Sequence, residues 1–213
     1  DRLAKNLYHV GKGRSRTLFL DAGDHFISVG GKGALAENFI SLQQHLNTNK
    51  PLKFAILTHH HCEHLNMVEP ALSLGAKVVT VADNLTSIEK KLQAALSESQ
   101  LLLIDKSYEF NNTQMKIFDL ATAHAAHNLV VYIADEHLLF AEDHYETLHQ
   151  RGKPRAFDNM VLFANKIRDL GIDVDRLVDG ASLRVLSMEE LQSAIDAYEI
   201  LDCPKGMTVC RNG

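Results

Sequence analysis

Apolar residues in this chain fall into short runs whose period changes along its length. Residues 7–10, 18–20 and 26–29 are β-type runs parted by glycine-rich and Asp-Ala-Gly-Asp turns, which predicts an antiparallel opening sheet. Gly30, Gly31 and Gly33 surround Lys32 in what reads as a flexible loop. From Ala34 to Leu46 the spacing becomes helical, with Leu35, Phe39, Ile40 and Leu42 on one side. Phe54, Ala55, Ile56 and Leu57 then form an unbroken apolar run, the pattern of a strand buried on both faces. It leads directly into Thr58, His59, His60, His61, Cys62, Glu63 and His64.

Residues 65–74 predict a helix with Pro70 in its first turn or at a kink, stopped by Gly75. The strand predicted from Lys77 to Val81 follows it, and helix-then-strand is the order a parallel crossover requires. A second amphipathic helix is predicted over 87–96, then β runs at 101–104, 108–110 and 115–120, with Asn111 and Asn112 as a hairpin turn. Small and polar residues around His124 and His127 lead into an apolar strand reaching Ile133. After a polar turn over 134–137, another strand runs from Leu138 to Asp143. A basic loop at 150–155, a helix over 158–170 and a short strand and turn at 175–180 come next. Ser187 with Glu190 has the spacing of a capping box and opens a helix to about residue 200. The succession β, α/β, β predicts an α/β (α+β) chain with two sheets and outer helices. With no internal repeat, residues 1–213 read as one domain.

Histidines placed after a buried strand, not in a polar tail, sit where open α/β sheets bind ligands. Neutral imidazole is the commonest metal-ligating side chain, and carboxylates join it around zinc or iron. The plain alternative is a solvated His-rich loop. The stretch Thr58 to His64 resembles the T-H-x-H-x-D-H signature of the metallo-β-lactamase superfamily, with Glu63 where that family has Asp. Residues 121–133 resemble its G-H-T-x-G-S segment and following strand, and Asp143 its metal-bridging Asp.

The resemblance implies a four-layer αββα sandwich of two mixed sheets with helices outside. It also implies a first metal site of His59, His61 and His124, and a second of Glu63, His64 and Asp143. Asp143 would otherwise serve as a helix N-cap. Ala181 stands where the family has the His that completes the second site, and Glu63 is one methylene longer than Asp. Gly30 stands where the family's strand ends in an Asp, so a buttress of the site is missing. His60, His127 and His144 are the reserve ligands, with His127 either projecting into the cleft or capping its turn. The implied function is a metal-dependent hydrolase holding one or two zinc ions. Metal-bound hydroxide would attack an ester, lactone, thioester or amide carbonyl, with Glu63 or Asp143 orienting the water. Two other readings are a degenerate, non-catalytic metal- or ligand-binding relative and an iron-dependent oxygenase or redox relative.

The resemblance implies a small-molecule substrate, and composition argues against other partners. The net charge is -5 and no basic stripe offers a footprint for nucleic acid. No apolar stretch approaches the roughly 20 residues that span a bilayer. Cys62 could be a metal ligand, a redox-sensitive thiol or a spacer, and the resemblance implies a spacer. A disulfide between Cys203 and Cys210, together with a start at Asp1 in place of Met, would suit a periplasmic or secreted protein, and free thiols a cytoplasmic one.

Overall fold

The computed structural model describes residues 1–111, 113–145, 158–181 and 184–197. The basic loop at 150–155, Asn112 of the hairpin turn, and Cys203 and Cys210 lie outside the described residues. The first sheet consists of β1 (Arg2–Ala4), β2 (Leu7–Lys12), β3 (Ser15–Asp21), β4 (Phe26–Gly30), β5 (Leu52–Ile56), β6 (Lys77–Val81) and β7 (Leu101–Ile104), in that spatial order. Pairing is antiparallel from β1 to β4 and parallel from β4 to β7. The second sheet holds β8 (Ser107–Glu109), β9 (Met115–Asp119), β10 (Leu129–Ile133), β11 (Leu138–Phe140), β12 (Arg176–Val178) and β13 (Leu186–Ser187). Its one parallel pair is β11 with β12.

Successive side chains leave a strand on opposite faces, so an unbroken apolar run supplies two cores at once. Leu18, Leu20, Ile27, Val29 and Ile56 point inward against Leu129, Val131 and Phe140 of the other sheet. Their neighbours Phe19, Phe26, Ala55 and Leu57 point outward and are covered by Leu35, Phe39, Leu42 and Ile88. Those four come from α1 (Leu35–Leu46) and from α4 (Leu85–Leu92), which follows α2 (Cys62–Leu65) and α3 (Val68–Ser73). On the opposite side Val130, Tyr132 and Leu139 are covered by α5 (Asp158–Leu170) and α6 (Met188–Asp196). The layers therefore run helix, sheet, sheet, helix, as expected. Each fully buried apolar side chain contributes about 1.5–3 kcal/mol, which makes these cores the main source of stability.

The pattern misjudged several details for identifiable reasons. β1 and β13 are three and two residues long, too short to show a period. The β runs after Leu101 do not form one group, because the chain leaves the first sheet after Ile104 and enters the second at Ser107. The helix expected over 65–74 is two pieces, α2 and α3. Pro70 lies in the first turn of α3, where its missing N–H has no intrahelical partner to lose. The helix expected over 87–96 spans Leu85–Leu92 and stops at Gln93, which adopts φ +56. Residues 30–33, expected as a loop, form a defined turn. They enter a 3-10 turn at Lys32–Ala34 through positive φ at Gly30 and Gly31. Ser187 and Glu190 make the predicted capping box, and α6 ends at Asp196.

Both sheets open their functional ends on one edge of the sandwich. The Leu129 amide donates to the Thr58 carbonyl at 2.7 Å, which ties the start of β10 to the segment leaving β5. Among the described residues no helix is long and apolar enough to cross a membrane.

Candidate metal centre

Thr58 continues directly from β5, and its hydroxyl lies 3.1 Å from His59 Nδ1. When Nδ1–H donates to that hydroxyl, Nε2 keeps its lone pair and is aimed at the cleft; ligating histidines are commonly oriented through their other nitrogen in this way. His61 is the N-cap of α2, in an extended conformation, and its carbonyl accepts the amides of His64 and Leu65. That single helical turn carries His64 back towards the same cleft. His124 comes from the β9–β10 connection, where its amide donates to Thr122 Oγ1 at 3.2 Å. Asp143 follows β11 with φ +63, a left-handed conformation that Asp tolerates better than most residues.

These elements bring four ligand atoms together. His59 Nε2 is 3.1 Å from His61 Nδ1 and 3.1 Å from His124 Nε2. Asp143 Oδ2 is 3.4 Å from both His59 Nε2 and His124 Nε2. Tetrahedral zinc with bonds of 2.0–2.1 Å separates its ligands by about 3.3 Å, so this set fits such an ion. A second set, Glu63, His64 and Asp143, shares the same aspartate, and His64 Nε2 donates to Asp143 Oδ2 at 2.7 Å. His64 is buried, Glu63 is exposed, and His64 Nδ1 is buried without a hydrogen bond among the described residues.

The electrostatics favour cation binding at neutral pH. Burial lowers the His59 pKa to about 4, against the opposing pull of Asp143, so the ring is neutral and its lone pair available. Burial, then His124 and His60, lower that of His61. Burial also works against charge on Asp143, but hydrogen bonds from His124, His59 and His64 outweigh it and hold the carboxyl well below its usual range. Glu63 is lowered as well, chiefly by its own backbone N–H.

None of the three reserve histidines enters either set. His60 is exposed beside His61. His127 donates from Nδ1 to Asp119 Oδ2 at 2.7 Å, and its Nε2 lies 3.6 Å from Asp83 Oδ2. Its pKa is raised, first by the Asp119 hydrogen bond. His144 is fully buried, with Nδ1 bonded to the Glu142 carbonyl and its ring against Phe163. Ala181 closes a turn in which its amide donates to Asp179 Oδ1 at 2.7 Å, and its methyl offers no ligand. Cys62 is exposed, 3.6 Å from a Glu63 oxygen and outside both sets. Cys62→Ser should therefore leave metal content unchanged, as elemental analysis would show.

Sequence reasoning missed Glu142. It is fully buried beside Asp143, and burial, then Asp179 and Asp143, push its pKa well above the carboxylate range. The signal was available: a carboxylate at the end of an apolar strand, next to a candidate ligand, rarely lacks a role.

No protein-family model and no curated protein matches the chain. Solved structures do. The metallo-β-lactamase DIM-1 is 12% identical with a TM-score of 0.68, over 92% of this chain and 94% of its own. The metallo-β-lactamase from Pontibacter korlensis is 15% identical with a TM-score of 0.66, over 92% and 97%. That from Hirschia baltica is 14% identical with a TM-score of 0.63, over 89% and 96%. Matches spanning nearly the whole of both chains, together with the layered architecture and the edge on which the histidines gather, show that this chain has the metallo-β-lactamase fold.

Proposed function

We propose that the protein is a metal-dependent hydrolase that acts on an ester, lactone, thioester or amide carbonyl and uses zinc. The observation that carries this reading is the convergence of His59, His61, His124 and Asp143, with neighbouring ligand atoms 3.1–3.4 Å apart. A zinc ion held there would supply hydroxide near neutral pH and a Lewis acid for the carbonyl oxygen. The chain's own residues do the rest. Thr58 fixes the His59 ring so that Nε2 faces the cleft. Asp143, kept ionised by three imidazoles, orients a water and accepts its hydrogen bond. Glu63, exposed at the mouth and ionised at neutral pH, is placed to take up the proton.

Ala181, with no ligand atom in its side chain, favours a second reading: a relative that binds metal without turnover. One experiment separates the two. Zinc-loaded protein is screened against esters, lactones, thioesters and β-lactams, then treated with chelator and reloaded. The hydrolase reading expects turnover that chelator abolishes and zinc restores. Tight metal binding with no turnover across the screen would leave only the second reading.

A further inference from the structure

His124 is presented by a compact loop between β9 and β10 that has few side chains with which to hold itself in place. At its base the Leu120 amide donates to the Asn128 carbonyl, and at its tip the Thr122 amide donates to the Ala125 carbonyl. His124 sits inside that tip, its amide bonded to Thr122 Oγ1. Ala121, Ala123 and Ala126 are exposed, and a methyl group offers no polar tie. His127 supplies one. Its Nδ1 donates to Asp119 Oδ2 at 2.7 Å, while Asp119 Oδ1 accepts the Asn128 amide at 3.0 Å. One carboxylate at the end of β9 therefore grips the last two residues of the loop. On the other side of the ring, His127 Nε2 lies 3.6 Å from Asp83 Oδ2, just beyond β6. β6 pairs with β5, the strand that leads to His59 and His61, so this ring spans the two halves of the first ligand set. The two contacts are unequal. The Asp83 side chain is 70% exposed and its contact long, whereas Asp119 is 14% exposed and its bond short. Exposed ion pairs contribute little, and short bonds to a shielded carboxylate are the stronger class, so Asp119 is the partner that fixes the ring. Metal–ligand distances tolerate only about 0.2 Å, so a loop free to shift further would release the ion.

We propose that His127 is a positioning residue: by its bond to Asp119 it fixes the loop that presents His124 to the first ligand set. The inference rests on the metal-centre reading above but not on turnover. The test is zinc affinity, measured by chelator competition on the whole chain, on His127→Ala and on His127→Asn. Alanine removes the donor, whereas asparagine places an amide donor close to where Nδ1 lies. His127→Ala is expected to bind zinc about 10-fold more weakly, the lower end of what loss of a supporting partner costs, and His127→Asn to recover most of that loss. Visible absorption of the cobalt-loaded protein reports ligand geometry, and it should change in His127→Ala and return in His127→Asn. Affinity of His127→Ala within about 3-fold of wild type would overturn the proposal. So would asparagine performing no better than alanine, since the donor would then not matter. A metal-free His127→Ala whose thermal melt collapses would also count against it, because the residue would then serve only the fold. A wild type that binds no zinc would instead overturn the metal-centre reading itself. A failed substrate screen leaves all these readouts untouched, so the two proposals fail separately.

Discussion

Asp143→Asn is expected to weaken zinc binding by more than about 100-fold and to abolish any zinc-dependent hydrolysis. Removing a partner that merely orients a ligand typically costs 10–100-fold, and Asp143 does more than orient. Its Oδ2 stands 3.4 Å from His59 and His124 and 2.7 Å from His64, so one atom serves both ligand sets. Asparagine keeps the size and tolerates the φ of +63 at this position, so the backbone can stay as it is. What is lost is the negative charge among three imidazoles, and an amide N–H₂ can turn towards lone pairs that a cation needs. Chelator competition measures the affinity, and a thermal melt of the metal-free variant checks its fold. Metal affinity within a few-fold of wild type would remove Asp143 from the centre.

Metal-free protein should lose stability steeply between pH 6.5 and 4. Burial lowers the pKa of His9, His59 and His144 to about 4 each, while the same rings in the unfolded chain titrate near 6.5. In that window the unfolded state binds more protons than the folded state, so stability falls as pH falls. The contribution is fully present above the unfolded value and lost towards the folded one. Each ring accounts for about 3 kcal/mol at most, which for three is comparable to the 5–15 kcal/mol that stabilises a whole domain. Glu142 acts in the opposite sense, because its raised pKa makes the folded state the better proton acceptor. Glu142 and the partly exposed His127, whose pKa is raised by Asp119, oppose three buried imidazoles, so the net slope remains destabilising on acidification. Denaturant midpoints of the metal-free protein across pH 4–8 test this, and His9→Gln should flatten the curve. A wild-type midpoint unchanged from pH 7 to 5 would contradict it.

Much of the site was legible from residue order because its parts are local. His59 and His61 belong to one turn after one buried strand, and His64 to the next turn of helix. His124 and Asp143 could be picked out only by resemblance, since nothing in their own neighbourhoods marks them as ligands. His144 shows the limit: adjacent to Asp143, it turns inward to Phe163 and the Glu142 carbonyl. The left-handed backbone at Asp143 turns the chain between the two residues, so adjacency in sequence does not bring their side chains to one point. His127 likewise pairs with Asp119, a partner eight residues back on the neighbouring strand.

By itself the sequence determined the strand and helix periods, the paired cores that continuous apolar runs supply, and the types of ligand available. These follow from short-range sterics and from the transfer of apolar side chains out of water, both of which act on neighbouring residues. Tertiary structure alone decided that His59, His61, His124 and Asp143 meet within 3.1–3.4 Å of their neighbours. It also decided that Glu142 enters a slot between Gly30 and Gly180. Both depend on the register of strands far apart in the chain, where a shift of one residue would turn each side chain to the other face.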